Sequence, residues 1–249
     1  MIPDDKIYEK IRILHHFRQE GNLLEITPSV VLDAPESTTL IASFFVDSFE
    51  MIESARFSVE KGANTLAFRQ KVKIINPLIW NPHTLGEPAL YELKTVFYKN
   101  GAAHFLIIQM AGLRQAQIVK NGENISLYIN GKELLCHYHD FSETASVAEI
   151  MRLSRKYGFN FTIVKGSDLC CAEKILEVCD RTGIAVALDI SGMDRRMGEE
   201  LSLHPSICLH TAPEGEFSFV MPDFPFLTLD KVKNLLVRKI FTGENGGEE

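Results

Sequence analysis

The sequence is poor in several things, and each shortage removes a class of function. It has 5 cysteines among 249 residues, an odd number. Cys170 and Cys171 are adjacent, which does not suit an ordinary bridge. Cys136, Cys170, Cys171, Cys179 and Cys208 are therefore expected as free, mostly packed thiols in a reducing compartment. Basic residues are outnumbered by acidic ones, 26 to 33, and the net charge of -7 offers no general attraction to phosphate backbones or anionic lipid. Neither nucleic acid nor a membrane is expected as a partner; a neutral polar ligand or another protein fits better. No apolar run reaches the length of a membrane span, and Met1 to Lys6 is acidic where a signal peptide would be basic, so a cytoplasmic location is expected. Gly62, Gly86 and Gly112 are isolated, which leaves no phosphate-cradling loop and no expected cofactor.

What is present describes a soluble globular chain, 45% hydrophobic and 24% charged, long enough for one large domain or two ordinary ones. Ile7, Ile11, Leu14 and Phe17 recur at helical spacing, so residues 1–21 are read as an N-terminal amphipathic helix ended by Gly21 and Asn22. From Leu23 to Val119 the pattern becomes short β-type runs broken by turn residues. They are Leu24 to Leu32, Thr38 to Val46, Ala55 to Val59, Thr65 to Ile74, Leu90 to Tyr98, His104 to Met110 and Arg114 to Val119. About seven strands at this spacing are what an immunoglobulin-like β-sandwich over 22–122 requires. After Gly122 the pattern changes again. Ile125 to Ile129 and Glu133 to Cys136 flank the tight turn Asn130-Gly131, and Ser146-x-x-Glu149 is a capping box before a helix ending at Gly158. Strands at Phe161 to Val164, Ile184 to Ile190 and Ile207 to His210 alternate with helices at Cys171 to Arg181 and Arg195 to Leu203. Such alternation predicts a parallel sheet. Phe217 to Met221 is a further strand candidate and Leu229 to Ile240 a last amphipathic helix. The Gly- and Glu-rich stretch 242–249 is read as a disordered tail.

Four local patterns resemble one family. Asn76-Pro77-Leu78-Ile79-Trp80-Asn81-Pro82, followed by Gly86-Glu87-Pro88-Ala89-Leu90-Tyr91-Glu92-Leu93, is similar to a sandwich-domain segment of glycoside hydrolase family 2, the β-galactosidases, β-glucuronidases and β-mannosidases. Gly112-Leu113-Arg114 with Tyr128-Ile129-Asn130-Gly131-Lys132 resembles that family's passage from sandwich to barrel. Leu176 to Ile184, with its Cys179-Asp180, resembles the helix end before the third barrel strand, and His204-Pro205-Ser206-Ile207 the opening of the fourth. The resemblance implies a multi-domain β plus α/β fold, an immunoglobulin-like β-sandwich followed by a partial (half) TIM-type β/α barrel over 123–241.

Retaining glycoside hydrolysis needs two carboxyls about 5–5.5 Å apart. The family pattern carries its acid/base Glu in an Asn-Glu pair ending the fourth strand. Here His210 stands in place of a Trp and Pro213 in place of the Asn, and Glu214 reaches the Glu position with one residue deleted. No residue matches the nucleophile of a seventh strand, and Glu216 and Asp223 match nothing in the pattern. The second-strand end Asn160 to Gly166 lacks the family's Arg and His. Asp189 matches the acidic residue ending the third strand, and His137-Tyr138-His139-Asp140 lies near the end of the first. The resemblance thus nominates Glu214 as catalytic and Asp189, His139, Asp140 and His210 as substrate-binding. It implies an eroded module that binds carbohydrate or assembles with a partner, with an active retaining β-glycosidase as the alternative. An incomplete barrel would leave edge strands, covered either by Leu229 to Ile240 or by a homodimer. By residue type, His137, His139, Asp140 and His210 could form a metal group, but loop histidines are the simpler reading and no metal is expected. Cys170 and Cys208 could be nucleophiles, with packed thiols the simpler reading. Trp80 and Tyr91 could stack on a sugar, with sandwich packing preferred.

Overall fold

The computed structural model describes residues 11–47, 50–99, 101–122, 124–140, 147–214 and 224–236. The chain divides into two compact units, Met1–Leu78 with Leu90–Leu113, and Ile79–Ala89 with Arg114–Glu249.

The first unit contains β1 (Arg12–Glu20), β2 (Leu23–Ala34), β3 (Thr38–Val46), β4 (Glu50–Val59), β5 (Gly62–Ala67), β6 (Val72–Ile75), β7 (Tyr91–Lys99) and β8 (Ala102–Ala111). They form two antiparallel sheets, β1-β2-β5 with β6 also on β2, and β4-β3-β7-β8. Alternation along the strands sends Leu24, Ile26, Val30 and Leu32 from one sheet and Leu40, Phe44, Leu93 and Phe97 from the other into a single core. None of these eight is more than 2% exposed.

Three expectations change here. Residues 12–20, within the span read as a helix, are strand β1, paired along its length with β2; residues 1–10 lie outside the described residues. Ile11, Ile13 and His15 are buried at period two, and the long β2 partner satisfies the backbone groups that a short helix would satisfy internally. The run read as one strand from Thr65 to Ile74 is split. β5 pairs with Ser29–Ala34 and β6 with Leu23–Ile26, while Phe68 N donates to Pro28 O at 3.2 Å between them. In an antiparallel strand N–H and C=O of one residue point to the same side, so the N–H that Pro28 lacks is missing from this ladder. The seventh strand, at Arg114 to Val119, leaves the sandwich and pairs in the second unit.

The second unit contains β9 (Ala116–Asn121), β10 (Asn124–Ile129), β11 (Lys132–Leu134), α1 (Val147–Tyr157), β12 (Phe161–Lys165), α2 (Leu169–Thr182), β13 (Ala185–Asp189), α3 (Arg195–Leu201), β14 (Ile207–Ala212), β15 (Phe226–Thr228) and α4 (Leu229–Leu236). β9, β10 and β11 form an antiparallel sheet whose tight turn has Asn130 at φ 50 and Gly131 at φ 76, a left-handed pair that Asn-Gly accommodates. β12-β13-β14-β15 form a parallel sheet in sequence order. α2 starts where the Asp168 side chain accepts from Cys171 N.

Val164, Leu188 and Ile190 face the helices and share a core with Ile150, Leu176 and Leu201. Phe161, Ala185, Ala187, Leu209 and Leu227 are no more than 2% exposed. Their register puts them on the other face of the sheet. α4 packs against β14 and β15 and reaches β10. The Ser146 capping box, the strand candidate at Phe217 to Met221, the end of the last helix at 237–240 and the tail 242–249 lie outside the described residues.

Candidate functional site

Most of the residues carrying the family resemblance in the second unit meet at one end of the parallel sheet, among the loops that lead into its strands. The Trp80 ring is fully buried and its Nε1 donates to Asp180 O at 2.8 Å. The Asp180 carboxylate accepts from His204 Nδ1 at 2.6 Å and from Ser206 N at 2.9 Å, which ties the end of α2 to the turn before β14. Asn130 Nδ2 donates to Trp80 O at 2.9 Å and Asn81 Oδ1 at 3.0 Å. His83 N donates to Gly183 O at 2.9 Å, and the His83 ring Nε2 donates to Phe159 O at 2.8 Å. Asn160, 2% exposed, donates to Thr84 Oγ1 and Leu135 O and accepts from His137 N. The segment Ile79–Ala89 is thus held by the loops before β12 and β13 and by the β10–β11 turn. Trp80 was expected to pack in the sandwich; it is a core residue, but of the second unit. Tyr91 lies in the sandwich core, and its hydroxyl oxygen accepts from Leu78 N at 2.8 Å.

Gly183 is fixed in this contact twice over. Its φ is 71, and a Cβ there would stand 2.6 Å from His83 N and 3.1 Å from Asn81 O. Gly183→Ala should lower unfolding stability by roughly 3 kcal/mol, combining left-handed strain with overpacking against backbone. Urea denaturation of the variant measures this; a change below about 0.5 kcal/mol, the ordinary range of surface substitutions, would show the approach to be dispensable.

The opposite end of the sheet holds the carboxyl ends of the strands, where ligands of parallel α/β sheets bind. Asp189 ends β13, level with Lys165 of β12. Its Oδ1 accepts from both the backbone N (3.0 Å) and the hydroxyl (2.5 Å) of Ser191, so this oxygen is used to shape its own loop. Gly166 sits under Met193: a Cβ there would fall 2.0 Å from Met193 Sδ, and Met193 is 4% exposed. Glu214 is exposed in the turn after β14, next to half-buried Pro213.

His210 does not join them. It pairs in register with Leu188, which belongs to the helix-facing core, so its ring lies on the face away from Asp189. It is fully buried, shares a hydrogen bond with Ser202 Oγ at 3.1 Å and stacks on Phe224 at 4.6 Å. Burial, with Arg114 second, pushes its pKa down to about 4, so it is neutral at pH 7. His139 stacks on Phe159 at 4.5 Å and donates its N–H to Phe161 O, at the start of β12, with exposed Asp140 next in the chain. It therefore sits at the other end of β12 from Lys165. Among the described residues, no three of His, Cys, Asp and Glu converge as a metal-binding group.

None of the five cysteines forms a disulfide; Cys136, Cys179 and Cys208 are buried, while Cys170 is exposed and Cys171 half-buried. Burial pushes the Cys208 thiol up to about 11, against the opposing pull of Arg114, and its Sγ donates to Ser206 O. It is a packed thiol, not a nucleophile. Asn160, Asp180 and Gly183 all stand in segments that were compared with the family, and nothing else in the sequence marked their structural roles.

A β-sandwich unit followed by parallel β/α units in consecutive order is the layout of glycoside hydrolase family 2 enzymes, and the chain resembles them in fold. No family model matches the sequence. Over 64 residues, 24% of this chain and 8% of the relative, it is 33% identical to β-mannosidase B of Aspergillus terreus. The β-D-mannosidase of Dictyoglomus thermophilum is similar in structure with a TM-score of 0.65 at 20% identity, over 81% of this chain and 29% of that one. The exo-chitosanase of Amycolatopsis orientalis gives a TM-score of 0.63 at 16% identity, over 82% and 28%. The chain spans less than a third of the length of each of these proteins.

Proposed function

We propose that this chain is a family 2 glycoside hydrolase scaffold, a sandwich joined to the first half of a barrel, that binds carbohydrate or assembles with a partner without turning over glycosides. One observation carries the reading. Apart from Asp189, the residues that resemble the family in the second unit meet at the amino ends of the strands, where they serve stability, while the departures fall at the carboxyl ends, where chemistry is done. Asp189 is engaged by Ser191, His210 is turned to the helix side, and Met193 covers the Gly166 position. Consecutive parallel order supports the half barrel, and α4 against β14, β15 and β10 favours cover by the chain itself over a homodimer through the β15 edge.

The second reading is a retaining β-glycosidase with Glu214 as acid/base and a nucleophile from an unrecognised segment or a partner chain. The exposure of Glu214 at a strand end favours it. Both mannosidases among the similar proteins make aryl β-mannosides the first substrates to test, then β-galactosides and β-glucuronides. The expected result is no aryl release above background, with saturable heat of binding for mannose-type oligosaccharides. Release of the aryl group, abolished in Glu214→Gln, would replace the first reading with the second.

A further inference from the structure

We propose that Asn121 is a site of spontaneous covalent modification, at which the folded chain converts its own asparagine to aspartate and isoaspartate through a cyclic imide formed with Gly122. Glycine follows asparagine at Asn100, Asn121, Asn130 and Asn245. Asn121 and Asn130 are among the described residues, and the fold treats them in opposite ways.

The chemistry needs a following residue whose nitrogen no side chain shields, which glycine supplies by having no Cβ. That nitrogen attacks Cγ of the asparagine, a five-membered ring closes, and the side-chain nitrogen leaves as ammonia. Water then opens the ring. Attack at one carbonyl gives aspartate; attack at the other gives isoaspartate, in which the backbone runs through Cβ. The sum is an amide and water going to a carboxylate and ammonium, so no oxidant, reductant or metal takes part. What the fold controls is whether Cγ can swing to the glycine nitrogen.

Asn130 is held away from this step. Its Nδ2 donates to Trp80 O at 2.9 Å and to Asn81 Oδ1 at 3.0 Å, and its Oδ1 accepts from Gln115 N at 2.8 Å. Turning Cγ toward Gly131 N breaks all three. Asn121 is exposed where β9 ends, paired through its backbone with Asn124, and among the described residues its side-chain amide has no hydrogen-bond partner. Gly122 is exposed as well, and a Cβ there would meet nothing within 4 Å, so no packed group stands over the attack. A carboxylate formed at this position enters water directly. The same dipeptide is thus a structural tie in the β10–β11 turn and a reactive one in the β9–β10 turn.

Incubation of the native chain at pH 8 in heavy-oxygen water, followed by peptide mass mapping, tests the proposal. Ring opening should leave one heavy oxygen and one new acid at residue 121. Conversion there should run at least about tenfold faster than at Asn130, a factor that corresponds to about 1.4 kcal/mol and is within what three hydrogen bonds supply. In urea, where both turns are open, the two rates should converge. Equal native rates at the two positions, conversion at Asn130 ahead of Asn121, or an Asn121 that stays intact while the urea-unfolded chain converts would each overturn it.

Discussion

Trp80→Ala should be the most damaging single substitution in the second unit, lowering unfolding stability by about 3–5 kcal/mol. Three costs add. The ring is 0% exposed, so its removal forfeits apolar burial and leaves a cavity. The Asp180 carbonyl loses its donor from Nε1. Asn130, which donates to the Trp80 carbonyl, stays bonded only if the backbone of residues 79–81 holds its place. Trp80→Phe separates these terms, because it keeps most of the apolar volume and removes the donor; it should cost about 1–3 kcal/mol, the price of an unsatisfied buried acceptor plus a smaller void. Circular dichroism during urea denaturation measures both, since the variants lack the protein's one tryptophan. An alanine variant within 1 kcal/mol of the parent would show that Ile79–Ala89 is peripheral to the second unit.

Acid should weaken both units well before most carboxylates are protonated. Burial holds the His15 pKa down to about 3, with His16 adding to the effect, and the His210 pKa down to about 4. In the unfolded chain each histidine titrates near 6.5. Between these values the unfolded state binds more protons than the folded one, so stability is full above pH 6.5 and falls as the pH drops toward the folded values. At pH 4.5 each histidine should have removed about 2.5 kcal/mol relative to pH 8. Trp80 fluorescence follows the second unit, where His210 lies, and circular dichroism follows both. His15→Leu should flatten the pH dependence of the sandwich and His210→Leu that of the parallel sheet. Denaturation midpoints equal at pH 4.5 and 7.5 in the parent chain would refute the assignment.

Sequence patterns located the elements whose partners are near in the chain. β3 was read to the residue, and the β10–β11 turn followed from Asn130-Gly131. α2 followed from its apolar stripe of Ala172, Ile175, Leu176 and Cys179. What failed depended on distant pairing. β1 looked helical because Ile7, Ile11, Leu14 and Phe17 fit one period, while a buried histidine concealed the period-two set of Ile11, Ile13 and His15. The gap between β5 and β6 is imposed by Pro28, far away in the sequence. β15 is three residues long, too short to show any pattern. At the candidate site, Asp189 and Glu214 were placed at strand ends correctly, since each ends or follows an apolar strand. The face taken by His210 follows from the β13–β14 register, which shifts between Val186 and Ala187 and cannot be read from β14 alone.

The hydrogen bond from Trp80 to Asp180 spans 100 residues of chain, and that separation has a consequence for synthesis. Trp80 leaves the ribosome with the sandwich, but its acceptor follows only after the helices and strands up to the end of α2. At about 5–20 residues per second, the indole waits roughly 5–20 s with an incomplete surface to settle on. A nascent chain stalled just past Leu113 would present this aromatic to chaperones, and releasing the stall should withdraw it.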